Sequence, residues 1–209
     1  PLALVVFRGL PDRGYLLARP LGFLLLAYAP WLLASLGWAP FGRGSIALGF
    51  AALLGASVWL AVRFRAELTL FVRRHWRLLL AEEAIFLGAI LVFTLVRIAN
   101  PDLWHPYRGG EKPMDLAYLN AVVRSTFMPP YDPWFAGGSL NYYYFGQFMV
   151  ATLVRATGIP TAIAYNLAVP TLFALTASAA FSLGYNLAEG ARRSARFAWH
   201  VPRWSAAFA

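Results

Sequence analysis

The chain has 209 residues, of which 60% are hydrophobic and 13% charged, against roughly 45–50% apolar and about 25% charged in a soluble domain. That balance excludes an ordinary water-soluble globule, and the 18 Lys and Arg against 9 Asp and Glu fall in clusters between uncharged stretches, a membrane pattern and not a nucleic-acid-binding face. With no cysteine there is no disulfide scaffold, no thiolate nucleophile and no Cys-ligated metal.

The opening PLALVVF reads as the tail of an earlier apolar segment, so the chain is expected to be an excerpt of a longer polytopic protein whose remaining spans complete it. Crossing a bilayer core takes about 17–25 apolar residues. Residues 21–38 and 45–62 qualify, and a shorter run at 84–96 is extended by apolar neighbours and bounded by Glu82, Glu83 and Arg97. A fourth span is expected at 142–157, closing at Gly158 with Pro160 as a restart. The fifth, 161–188, is long enough that it must tilt or kink at Pro170. The expected fold class is an all-α polytopic transmembrane bundle of about five spans in the cell membrane. Its parts are N-terminal helices over 1–99, a loop over 100–141, and helices with a basic tail over 142–209.

Residues 63–77 hold five arginines against one glutamate, which places that loop in the cytoplasm and 100–141 outside. With five spans, Arg192, Arg193, Arg196 and Arg203 would face outward, against the same rule. The plain role of both arginine clusters is anchoring, with contact to anionic lipid head groups.

The loop 100–141 carries four of the nine acids, Asp102, Glu111, Asp115 and Asp132, interleaved with aromatic residues that argue against disorder. Pro113 fits a first helical turn with Asp115 near its positive end, and Leu116, Leu119, Val123 and Phe127 recur at helical spacing. An amphipathic helix lying along the membrane surface follows, within an ordered extracytoplasmic loop. A carboxylate there, beside Arg108, Lys112 and Arg124, suits a substrate with a lipid tail, an anionic phosphate and a polar acceptor. Sugar transfer from a lipid phosphate needs one carboxylate base and a cationic clamp, because phosphate leaves without a strong acid. If that chemistry holds, Glu111, Asp115 and Asp132 converge on one pocket.

Each of these residues also has a purely structural reading. Asp115 caps a helix, Asp132 within PPYDPW forms a turn, Glu111 and Lys112 make a solvated pair, and Tyr142 to Tyr144 form an aromatic belt. His75, His105 and His200 lack ligand-like spacing, so no protein-held metal is expected, while a divalent cation accompanying a substrate stays open. Asn166 and Asn186 suit interhelical hydrogen bonds. Motifs for nucleotide hydrolysis, dinucleotide binding, zinc proteolysis and serine hydrolysis are missing, as is an Asp-x-Asp pair.

GGEKPMD (109–115), PPYDPWFAGG (129–138), NYYYFGQ (141–147) and AYNLAVPTLFALTA (164–177) resemble the Chlor-Arch YYY family of hydrophobic membrane proteins, a domain of unknown function. The order of parts resembles the N-terminal portion of GT-C class glycosyltransferases, although their loop follows the first span and this one follows later. The resemblance implies transfer of a sugar from a polyprenyl-phosphate donor, with Asp115 as the base, Glu111 next in rank and Asp132 in support. Arg108, Lys112 and Arg124 would bind phosphate, and Trp104, Asn141, Tyr142 and Tyr143 would line the sugar or prenyl site. The competing expectation is a non-catalytic membrane module, either part of a transporter or an assembly scaffold, in which the loop is a packed lid.

Overall fold

The computed structural model describes residues 1–105 and 110–200, with side chains to 193. The elements in chain order are α1 (Leu2–Val6), α2 (Ala18–Ser35), α3 (Arg43–Arg63), α4 (Arg65–Ala99), α5 (Lys112–Arg124), α6 (Phe145–Thr157) and α7 (Thr161–His200). Among the described residues the only β pairing is an isolated bridge between Tyr131 and Ser139. The protein is an all-helical polytopic bundle. α2, α3, α4 and α7 are long and apolar enough to cross a membrane. Their outward faces keep large apolar side chains exposed, Trp59 at 65%, Leu91 at 59% and Leu187 at 65%, which suits lipid as the solvent.

The expected fourth span is shorter than its apolar run. α6 has 13 residues, about 20 Å at 1.5 Å per residue, because Tyr142 to Tyr144 stay outside the helix and Gly158 ends it in a left-handed conformation at φ 80°. That changes the parity of the chain. Arg193 toward the end of α7 lines the same cleft as Arg8, Arg13 and Arg74, so this arginine, which five spans would turn outward, lies at the basic end, while the side chains of Arg196 and Arg203 fall outside the described residues. One end of the bundle therefore gathers the cations of the N-terminal segment, the start of α4 and the end of α7.

α4 is two helical pieces meeting at His75, where the backbone leaves helical geometry (φ −115°, ψ 15°) and the ring Nδ1 lies 3.1 Å from the Phe71 carbonyl. The second piece packs against α7, and the pairs Arg97–Asn166 and Phe93–Phe173 make the two antiparallel. α2 and α3 cross closely at Gly49, where a methyl group would stand 3.2 Å from Ala29 Cβ.

The buried hydrophobic core lies at the other end, where the α2–α3 turn, α5 and α6 meet around Phe41, Leu119, Val122, Met128 and Phe148. α5 starts as expected, with Pro113 in its first turn. Its apolar face, Tyr118, Leu119, Ala121 and Val122, is buried against protein and does not lie on lipid. Arg155 of α6 fastens this end. Its guanidinium donates to the carbonyls of Val123 (2.9 and 2.6 Å), Ser125 (2.9 Å) and Phe41, satisfying carbonyls that the end of α5 leaves free.

Candidate functional site

Asp115 is in the first turn of α5, with its backbone N–H donating to the Glu111 carbonyl at 2.9 Å. Its half-buried carboxylate points across to α6 and α7. Gln147 Nε2 donates to one oxygen at 3.4 Å, and the Tyr165 hydroxyl donates to the other at 3.3 Å. Both contacts are long for hydrogen bonds, and an ionised carboxylate accepts about four, so about half of its accepting capacity is unspent.

The carboxylate lines a groove of about 310 Å³ whose other walls are apolar: Phe23 from α2, Leu119 from α5, Met149 and Val150 from α6, and Ala168 and Leu172 from α7. A second cleft of about 270 Å³ shares Phe23, Val150, Ala168 and Leu172 and continues to Leu153 and Ile159. Gln147 Oε1 is buried without a partner. The head of this trough thus offers acceptors, a carboxylate and an amide oxygen, while its length offers hydrocarbon. It fits an amphiphile whose polar head carries hydroxyl donors.

Of the expected acids, Asp115 alone lines the groove. Asp132 Oδ1 accepts the backbone N–H groups of Trp134 (2.8 Å) and Phe135 (3.3 Å), the turn its surrounding prolines anticipate. Asp132 and Asp115 both act on the Tyr118 phenol, which burial, then Asp132, Tyr142 and Asp115, hold above its ordinary pKa. Glu111 is exposed at the N-terminal boundary of α5. Lys112 Nζ donates to the Asp102 carbonyl at 3.3 Å, tying the loop's first stretch to α5. Arg124 is exposed nine residues after Asp115, about 14 Å along the helix, and does not join it. Trp104, Asn141, Tyr142 and Tyr143 are exposed, Tyr143 at 83%. Tyr142 packs its ring 5.9 Å from that of Tyr118, and Tyr144 turns inward to accept from Trp31 Nε1 at 3.2 Å. Arg108 lies outside the described residues.

Three residues at the site were given no part in the site by the sequence argument. Gln147 and Tyr165 stand inside the NYYYFGQ and AYNLAVP stretches, but nothing local pairs them with Asp115, 32 and 50 positions away. Arg97, read as a charge closing a span, donates through Nε to Asn166 Oδ1 at 3.0 Å and lines an adjoining cleft with Pro101 and Ala162. Its charge acts on Tyr165. Among the described residues no three His, Asp or Glu side chains converge as a metal site.

No curated protein and no solved structure matches the chain. One family model, described as an uncharacterized membrane protein, matches residues 25–208, which takes in α3, α4, most of α2 and the described part of α7, and every residue named in the Asp115 groove except Phe23. The chain belongs to this DUF2298 family of uncharacterized membrane proteins.

Proposed function

We propose that this chain is the substrate-binding and catalytic part of a membrane glycosyltransferase that takes a sugar from a polyprenyl-phosphate donor, with Asp115 as the general base. The observation that carries this reading is the placement of Asp115 at the head of an apolar groove with its carboxylate held by only two long contacts. The prenyl chain lies along the trough between α6 and α7. Asp115 takes the proton of the attacking acceptor hydroxyl, while phosphate leaves without a strong acid. Tyr165 and Gln147 orient the carboxylate, and the open Gln147 oxygen receives a donor from the sugar or acceptor.

Arg97 and Lys112 are the described cations nearest in role to a phosphate clamp, since Arg124 is a helix length away and Arg108 is undescribed. Asp132 supports through Tyr118, Glu111 stands at the rim, and Trp104, Tyr142 and Tyr143 offer stacking faces. The order of loop, acid-bearing helix and aromatic re-entry, which resembles GT-C enzymes, is a second support. The positive-inside rule puts the basic end in the cytoplasm and 100–141 on the outer face of the cell membrane. The segments 1–99, 100–141 and 142–209 then supply the anchor with one groove residue, Phe23, the catalytic loop, and the α6 and α7 walls of the groove.

The test is transfer by the full-length protein in liposomes, supplied with polyprenyl-phosphate sugar. Asp115→Asn is expected to lower turnover roughly 10²–10⁴-fold with insertion intact, and wild-type turnover in that variant ends the assignment. Mass spectrometry of co-purifying lipids is expected to find a polyprenyl phosphate, and bulk phospholipid alone counts against the donor. A non-catalytic membrane module finds its specific support elsewhere in the molecule, at the buried acid Glu82.

A further inference from the structure

The second piece of α4 carries an acid that no hydrogen bond accounts for. Glu82 is fully buried, and neither Oε1 nor Oε2 has a partner. The charges that act on it are Asp12 from the segment before α2, Glu83 on its own helix and Arg19 from α2. From α7 the phenol of Tyr185 faces both Glu82 and Asp12.

Asp12 is also fully buried, but it is satisfied. Its carboxylate accepts from the Gly14 N–H at 2.8 Å and the Ser182 hydroxyl at 2.5 Å, and its backbone N–H donates to Asn186 Oδ1 at 3.2 Å. Glu83 is likewise engaged, by Arg19 at 2.5 Å and the Tyr15 hydroxyl at 2.6 Å. Arg19 therefore spends its charge on Glu83, and Asp12 and Glu82 share the interior with no cation of their own.

Ser178, Ser182 and Asn186 recur every four residues, so one stripe of α7 faces this pair. Ser178 is fully buried with its Oγ also unpartnered. An ionised, unpaired carboxylate away from water beside a second carboxylate is the state that burial and like charge both oppose. A single positive charge resolves the conflict. A sodium ion needs a shell of several oxygens, and the Asp12 oxygens already hold donors, whereas a proton needs no shell.

We propose that Glu82 is a proton-binding site inside the membrane domain, its carboxyl carried neutral beside the hydrogen-bonded carboxylate of Asp12 between α4 and α7. The reaction is simple association, carboxylate plus proton giving carboxylic acid, and the site is independent of the Asp115 groove.

Infrared spectroscopy of the chain in phosphatidylcholine liposomes tests this. A carboxylic-acid C=O band is expected at neutral pH that shifts in D₂O, is absent in Glu82→Gln and is unchanged by added sodium chloride. Asp12→Asn removes the like charge, so the band is expected to titrate away at a lower pH than in the natural chain. This second variant keeps the test decisive if Glu82→Gln does not fold. No such band at neutral pH, a band that falls as sodium is raised at constant pH, or a titration unmoved by Asp12→Asn each overturns the proposal.

Discussion

Asp12 and Asp115 are the same side chain in two conditions. Asp12 is sealed at the basic end, with a backbone N–H and a hydroxyl at 2.8 and 2.5 Å on its oxygens. Asp115 is half-buried at the loop end, with two long contacts and an apolar trough beside it. The first holds the bundle together, and the second holds itself available. A buried carboxylate with its donors in place is structure. One whose accepting capacity is unspent beside a ligand-sized groove is where chemistry can occur.

The comparison breaks most visibly through the residues that fasten each end. Arg155→Met removes the donors to three carbonyls at the loop end. It is expected to cost about 3 kcal/mol or more, read as a lowered midpoint of thermal unfolding in detergent, and an unchanged midpoint contradicts the clamp. Asp12→Ala strands the Gly14 N–H and the Ser182 hydroxyl. A loss of about 2–3 kcal/mol is expected in the same assay.

Asp115→Asn sharpens the contrast, because a carboxylate with two long contacts contributes little to folding. Less than about 1 kcal/mol is expected, and a loss as large as that of Asp12→Ala makes Asp115 structural too. Arg124→Ala, exposed and remote from the groove, is expected to shift stability by within about 0.5 kcal/mol and to leave transfer unchanged. A loss of transfer in that variant moves the phosphate site to the far end of α5.

Much of the architecture was legible in the chain. Long uncharged runs can be satisfied only as helices in lipid, so 21–38, 45–62 and the run after Glu83 each predict a helix that is present. Pro113 and the Leu116–Leu119–Val123 spacing placed α5, and Gly158 with Pro160 placed the break between α6 and α7. The extent of α6 was not legible, since three tyrosines read as apolar whether or not they are helical. That difference bears on the side on which Arg193 lies. The surroundings of α5 were hidden for a related reason. An amphipathic stripe looks the same whether lipid or protein covers it, and here Phe148 and Phe41 belong to the core that does.

At the candidate site, composition and helical spacing brought Asp115 forward as one of four acids in the loop, and the resemblance to GT-C enzymes ranked it first. Its partners and its groove depend on segments 32 and 50 residues away, and no local periodicity encodes such pairings. The sequence alone determined that this is a helical membrane protein with an acid-bearing loop, because hydropathy and helix punctuation act within a few turns of chain. Only the tertiary structure decided that Asp115 faces an apolar trough while Glu82 is shut away without a partner, because burial is a property of what packs against a residue and not of the residue itself.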